Sequence, residues 1–141
     1  MLVREIMNTR VISASPDEPV SFASRLFSRH NIGAVPVCSS DGKVRGMLTD
    51  RDIVLRCVAA GTDPEKTPIR EIMSRSVVTA SPTDDVERAV EIMSAAKIRR
   101  VPVVDGGRLA GIVSLADIAR LTESDTAAKA LGGISAGIRR Q

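Results

Sequence analysis

The chain is poor in aromatic and metal-binding side chains. Its 141 residues include no Trp and no Tyr, two Phe, two Cys and one His. Proteins that bind single-stranded nucleic acid usually stack the bases on aromatic side chains, and a structural zinc ion needs four nitrogen or sulfur ligands. Because the formal net charge is also only +3, the composition predicts neither nucleic-acid binding nor a metal site.

The sequence also lacks the usual marks of secretion and of membrane insertion. Cys38 and Cys57 are too few for a disulfide-stapled domain, so we expect two free thiols in a reducing compartment. The longest apolar runs, such as residues 32–38, fall far short of the roughly 20 residues that a membrane span needs. The first residues carry Arg4 and Glu5 in place of an apolar signal-peptide core. We therefore expect a cytoplasmic protein that does not bind membranes.

An internal repeat is the main positive feature of the sequence. Matching pairs follow one order along the chain: Arg-Glu-Ile-Met at 4–7 and 70–73, Ala-Ser-Pro at 14–16 and 80–82, Val-Pro-Val at 35–37 and 101–103, and Asp-Ile at 52–53 and 117–118. One copy is too short to bury a core alone. We therefore expect the two copies to pack together and to form two related clefts between them.

The repeat defines the predicted domain organisation. Repeat 1 covers 1–62, a polar linker covers 63–68, repeat 2 covers 69–121, and the C-terminal tail at 122–141 is either flexible or a short helix. The fold class is α/β, of the α+β kind, with two pseudo-symmetric β-α-β-β-α repeats packed sheet to sheet.

Each repeat should follow the same order of elements. Pro19 suits the first position of one helix, and Asp84 with Glu87 resembles a capping box at the start of its counterpart. Turn residues at 39–42 and at 105–107 predict a hairpin in each copy. The predicted strands are 11–14, 32–38 and 44–49 in repeat 1 and 77–80, 98–104 and 109–114 in repeat 2, and the closing helices are 51–60 and 115–121.

The chemically informative motif is Gly-x-x-[Ser/Thr]-x-x-Asp, found at 46–52 and again at 111–117. The hydroxyls of Thr49 and Ser114 lie where a strand ends and a helix begins, and Asp52 and Asp117 follow one turn later. One interpretation is a simple helix cap. The other is that each carboxylate accepts hydrogen bonds from two vicinal hydroxyls of a ribose, as acidic residues do in dinucleotide folds.

This ordered set of motifs resembles the CBS domain, and its duplication resembles the tandem pair called a Bateman module. The spacing is similar to that of small stand-alone bacterial CBS-pair proteins of the hypoxic-response type. The resemblance covers residues 3–121 and implies two clefts that bind adenosine-containing ligands: AMP, ADP, ATP, or alternatively S-adenosylmethionine or NAD(H). It assigns the ribose to Asp52 and Asp117, with Thr49 and Ser114 beside them.

The resemblance also implies where the rest of a nucleotide binds. The adenine slot would be lined by short apolar segments, namely Val11, Ile12, Ala14 and Pro36 in repeat 1 and Val77, Val78, Ala80 and Pro102 in repeat 2. Phosphate would be held by basic residues before the Pro-Val strand of the opposite repeat. These are Arg99 and Arg100, whereas the matching positions Gly33 and Ala34 are neutral, and the second cleft has Arg51 as its basic candidate.

Three classes of function differ in how well they account for these features. An adenine-nucleotide sensor module accounts for the motifs, without a catalytic cofactor and without catalysis. An enzyme is disfavoured, because no Gly-rich phosphate loop and no Cys/His arrangement is present. The alternative is a protein-interaction module whose clefts are vestigial. The resemblance further implies a homodimer of four CBS repeats and a downstream protein partner that the sequence does not identify.

Overall fold

The computed structural model describes residues 1–121. The prediction for the tail at 122–141 lies outside these residues. The elements are α1 (Val20–His30), β1 (Ala34–Cys38), β2 (Val44–Thr49), α2 (Asp50–Ile53) with a π-helical continuation (Val54–Val58), α3 (Val86–Ala96), β3 (Arg100–Asp105) and β4 (Arg108–Ser114). Residues 115–121 are helical and are called α4. The predicted fold class, two repeats of mixed helix and strand, is confirmed.

The described chain divides into two compact units. The first unit contains residues 10–77 and 104–109, and the second contains residues 1–9, 78–103 and 110–121. Each unit has a mainly aliphatic core, as the scarcity of aromatic residues requires, and Phe27 contributes to the core of the first unit. Fully buried examples are Val35, Val37 and Leu48 in the first unit and Val101 and Val113 in the second.

In the first unit, α1 packs with an antiparallel hairpin of β1 and β2. Val35 pairs with Leu48 and Val37 with Gly46. Helix α1 begins one residue later than predicted, because Pro19 is its N-cap and not its first helical residue. The helix ends at His30, and its C-cap Asn31 has a left-handed φ of 53°. Asn tolerates this conformation better than most residues, so it ends the helix where a glycine is more common.

In the second unit, the predicted capping residue is wrong by one position. Asp85 is the N-cap of α3, and its carboxylate accepts a hydrogen bond from the Glu87 N–H at 3.0 Å. The Asp84 carboxylate instead accepts from the Ser81 N–H at 2.8 Å. Asp84 is therefore already used by the turn that precedes the helix, and its neighbour supplies the cap.

The Arg-Glu-Ile-Met segments form short 3-10 turns, Val3–Glu5 and Ile69–Glu71, with equivalent backbone contacts. In the second unit, the Val3 N–H donates to the Asp84 carbonyl at 2.8 Å. In the first unit, the Ile69 N–H donates to the Glu18 carbonyl at 2.9 Å. Each compact unit therefore contains the Arg-Glu-Ile-Met segment of the other sequence repeat, a feature that the repeat alignment alone does not reveal.

Two predicted elements are shorter than expected. The strands predicted at 11–14 and 77–80 are reduced to single bridges, Ala14 with Val37 and Ala80 with Val103. Pro36 and Pro102 have no N–H to extend these pairings, and Ser-Pro turns follow directly at 15–16 and 81–82.

The strands predicted at 32–38 and 98–104 begin two residues later, at Ala34 and Arg100. The helix predicted at 51–60 also differs. It is α-helical only over Asp50–Ile53, and it then widens into a π-helix over Val54–Val58. Within that wide turn Cys57 is fully buried, and the Thr62 hydroxyl donates to the Cys57 carbonyl at 3.3 Å. Val54, Leu55 and Val58 are left exposed.

Candidate functional site

The glycines that open the two motifs mark close backbone approaches. A Cβ at Gly46 would lie 2.6 Å from the Ser74 carbonyl oxygen, and a Cβ at Gly111 would lie 2.9 Å from that of Asn8. Met47, which follows Gly46, exchanges two backbone hydrogen bonds with Ser74, both at 2.9 Å. Ile112, which follows Gly111, exchanges two with Asn8, at 2.8 Å and 2.9 Å. These glycines are therefore required by packing, a role that sequence reasoning did not assign to them.

The first strand-to-helix junction carries Thr49 and Asp52 in a reciprocal cap. The Thr49 hydroxyl accepts from the Asp52 N–H at 3.1 Å, and the Asp52 Oδ2 accepts from the Thr49 N–H at 3.0 Å. The other carboxylate oxygen of Asp52, Oδ1, lies 4.0 Å from the Arg56 Nε. A carboxylate has about four acceptor positions, so Asp52 keeps capacity for a ligand hydroxyl.

The second junction has the same hydroxyl cap, formed by Ser114 and Asp117. The Ser114 hydroxyl accepts from the Asp117 N–H at 3.1 Å, and the Asp117 Oδ1 contacts the Arg120 guanidinium. Both carboxylates are partly exposed, 17% for the Asp52 side chain and 27% for the Asp117 side chain. The capping interpretation is thus confirmed at both hydroxyls, while the ribose-binding role stays a prediction.

The residues before each Pro-Val strand lie next to these junctions. The Gly33 carbonyl accepts from the Asp50 N–H at 2.9 Å, and the Arg99 carbonyl accepts from the Leu115 N–H at 2.8 Å. We call residues 33–34 with 49–52 the first corner, and residues 99–100 with 114–117 the second corner. Each corner belongs to one compact unit.

The predicted phosphate ligands are all exposed. Arg51 lies in the first corner, and Arg99 and Arg100 lie in the second. The planar fork of a guanidinium suits bidentate contacts with phosphate oxygens.

The predicted adenine-slot residues divide between the units. In the first unit the Ala14 N–H donates to the Pro36 carbonyl at 3.1 Å, and in the second the Ala80 N–H donates to the Pro102 carbonyl at 3.0 Å. Both prolines are fully buried. Val11, Ile12 and Val77 are half-buried in the first unit, and Val78 is exposed in the second.

The cysteines are not joined to each other. Cys57 is fully buried, and Cys38 is half-buried at the end of β1. Burial raises the pKa of the Cys38 thiol above its usual value. Among residues 1–121, no group of three or more His, Cys, Asp or Glu side chains could hold a metal ion.

The described part of the chain has no helix that is both long enough and apolar enough to cross a membrane. This finding concerns residues 1–121 only.

The family model of the CBS domain matches this chain twice, at residues 3–58 and 69–124. The chain therefore belongs to the CBS-domain family and carries two CBS domains in tandem. The CBS domain-containing protein YhcV of Bacillus subtilis is 42% identical over 90 residues, which are 64% of this chain and 63% of that protein. Hypoxic response protein 1 of Mycobacterium tuberculosis is 39% identical over 89 residues, which are 63% of this chain and 62% of that protein. The chain thus spans somewhat less than two thirds of these relatives.

Solved structures support the same assignment. One shows hypoxic response protein I with two coordinated zinc ions; it is 38% identical, with a TM-score of 0.79, and the match covers 86% of this chain and 98% of that chain. Another shows the CBS domain pair of protein MJ0100 in complex with 5′-methylthioadenosine and S-adenosyl-L-methionine. It is 34% identical, with a TM-score of 0.76, and the match covers 89% of this chain and 98% of that chain.

Proposed function

We propose that this chain is an adenine-nucleotide-binding regulatory module that takes AMP, ADP or ATP in clefts between its two CBS repeats and catalyses no reaction. The observation that carries the proposal is the duplicated corner. In each copy a partly exposed carboxylate lies one turn after a capping hydroxyl. The MJ0100 domain pair, which shares this fold, was solved with two adenosine compounds.

Ribose is assigned to Asp52 in one cleft and to Asp117 in the other. Thr49 holds the Asp52 carboxylate through the reciprocal cap, whereas the Ser114 hydroxyl caps the Asp117 N–H. Because the cap fixes the rotamer of Asp52, a ribose in that cleft would meet an ordered acceptor and would cost less ordering entropy on binding.

Adenine would lie against the apolar backbone segments near Ala14 with Pro36 and near Ala80 with Pro102. Each pair is joined by a backbone hydrogen bond, at 3.1 Å and 3.0 Å. A flat base between aliphatic groups needs no aromatic partner, which fits a chain with only two Phe.

Phosphate selectivity should differ between the two clefts. In this proposal the Asp52 cleft receives Arg99 and Arg100 from the opposite repeat, whereas Gly33 and Ala34 offer no charge at the matching positions. Each hydrogen bond to a charged group contributes about 1.5–3 kcal/mol. The Asp52 cleft should therefore prefer nucleotides over adenosine by roughly tenfold or more.

A binding role without catalysis is favoured by the residues of the corners. They contain hydroxyls that are occupied as helix caps and carboxylates that accept backbone or guanidinium hydrogens. Neither corner pairs a nucleophile with a base, which is the arrangement that covalent catalysis requires.

The proposal includes a closed homodimer of four CBS repeats. Three aliphatic side chains of the π-helical segment are exposed, Val54 by 55%, Leu55 by 51% and Val58 by 66%. Val90 on α3 is also exposed, by 37%. Burying such residues against a second copy would remove apolar surface from water.

The test is a thermal-unfolding panel with AMP, ADP, ATP, S-adenosylmethionine and NADH. A nucleotide at 100 times its Kd should stabilise the wild type by about 2.7 kcal/mol. At the same concentration the ligand should stabilise Asp52→Ala much less, because only the Asp117 cleft remains. The matched control is Asp17→Ala, which removes a carboxylate from a side chain that is 81% exposed in a turn outside the site, and should still respond. No stabilisation by any of the five compounds would favour the alternative of an interaction module with vestigial clefts.

A further inference from the structure

Helix α1 depends on the linker between the two repeats for its N-terminal cap. Its N-cap residue, Pro19, has no side chain that accepts a hydrogen bond. The Val20 N–H donates instead to the Thr67 carbonyl at 2.9 Å, and the Ser21 N–H donates to the Pro64 carbonyl at 3.0 Å. N–H groups in the first turn of a helix have no partner within the helix itself. The linker therefore supplies the cap that the helix lacks.

The capping segment, residues 63–67, is folded around one carbonyl group, and we call it the strap. The Asp63 carbonyl accepts from the Thr67 N–H at 2.9 Å and from the Thr67 hydroxyl at 2.7 Å. Thr67 is buried, but the rest of the strap is exposed, and so is the ion pair between Arg25 and Glu65. An exposed ion pair contributes little to stability. A segment with so few buried contacts is the kind that opens locally.

The strap lies beside a buried hydroxyl that has no partner. Ser21 is only 7% exposed, and its Oγ has no hydrogen-bond partner in the described part of the chain. The equivalent residue of α3 is Glu87, which is exposed. A hydroxyl that is buried without a partner is costly, whereas one that water reaches is not. Because the strap carbonyl of Pro64 binds the Ser21 N–H, opening of the strap would let water reach this end of the helix.

We infer that the strap is a conformational switch within the first compact unit, that it opens locally together with the first turn of α1, and that the Ser21 hydroxyl favours the open state. The two events are coupled because the same hydrogen bonds hold the strap and cap the helix. The strap lies between the two CBS domains, matched at 3–58 and 69–124, so its opening lengthens the free chain that joins them. The inference does not depend on nucleotide binding.

The experiment measures hydrogen exchange of single backbone amides by NMR, in the full chain and at low urea concentrations. In the wild type the amides of Val20 and Ser21 should be at least about tenfold less protected than those of Cys38 and Met47, whose hydrogen bonds involve neither α1 nor the strap. Exchange at Val20 and Ser21 should also change little with urea, because a local opening exposes little surface. Equal protection and equal urea dependence at all four amides would overturn the inference, since the strap would then open only when the whole unit unfolds.

Ser21→Ala tests the role of the hydroxyl. Removing one buried unpaired group should raise the protection factors at positions 20 and 21 about fivefold or more. Ser24→Ala is the matched control, because it brings the same gain in helix propensity but removes a hydroxyl that already donates to the Val20 carbonyl at 3.3 Å. Thr67→Val, which removes the bond to the Asp63 carbonyl, should lower the same protection factors. Unchanged protection in Ser21→Ala, or an equal rise in Ser24→Ala, would show that Ser21 does not set the opening of the strap.

Discussion

Replacing Gly46 with alanine is the sharpest test of how the motif is built. The added Cβ would lie 2.6 Å from the Ser74 carbonyl oxygen and 2.8 Å from the Met73 Sδ. Overpacking of this kind costs about 1–3 kcal/mol. The segment must also shift, which weakens the two hydrogen bonds between Met47 and Ser74, each worth about 0.5–1.5 kcal/mol. Reduced freedom of the unfolded chain returns about 0.4–1 kcal/mol.

The net loss expected for Gly46→Ala is about 2–3 kcal/mol, or a fall in Tm of roughly 6–12 °C. Urea unfolding of wild type, Gly46→Ala, Gly111→Ala and Gly42→Ala measures it. Gly42 has a φ of +83° and nothing within 4 Å of an added Cβ, so that variant reports backbone strain alone, about 1–2 kcal/mol. Gly111→Ala should resemble Gly46→Ala. If Gly46→Ala is no less stable than Gly42→Ala, the packing role of the motif glycine is refuted.

Three further predictions concern the cap, the assembly and the thiols. Thr49→Ala removes the acceptor for the Asp52 N–H and should lower the free energy of unfolding by about 1 kcal/mol; an unchanged urea midpoint would contradict the cap. Light scattering at micromolar concentration should show a dimer for wild type and a monomer for Leu55→Asp with Val58→Asp, whereas a monomeric wild type would exclude the proposed assembly. Because burial raises the pKa of the Cys38 thiol, its contribution to stability is present below the unfolded pKa of about 8.5 and is lost as the pH rises toward the folded pKa. Wild type should therefore lose more stability than Cys38→Ser between pH 7 and pH 10, and equal losses would argue against the buried thiol.

Much of the fold was predictable because its signals are local. The Asp-Gly turn and the apolar runs around it predicted the hairpins, and β2 runs over Val44–Thr49 as predicted. The hydroxyls of Thr49 and Ser114 were expected at helix starts, and both accept the predicted backbone hydrogen bonds.

Other features depend on contacts that a repeat alignment does not contain. The alignment shows that residues 4–7 correspond to 70–73, but not which compact unit each segment joins. The need for Gly46 arises from that choice, because Ser74 follows the second segment. Similarly, Asp84 and Asp85 are both suitable caps by residue type, and only the turn contact of Asp84 with Ser81 decides between them.

Calorimetric titration with AMP tests the central claim most directly, using wild type, Asp52→Ala, Asp117→Ala and the Arg99→Ala, Arg100→Ala double variant. Asp52→Ala and the double variant should lose the tight site, and Asp117→Ala should keep it. Tight binding that is abolished by Asp117→Ala alone, with the double Arg variant binding normally, would contradict the assignment of phosphate to the Asp52 cleft.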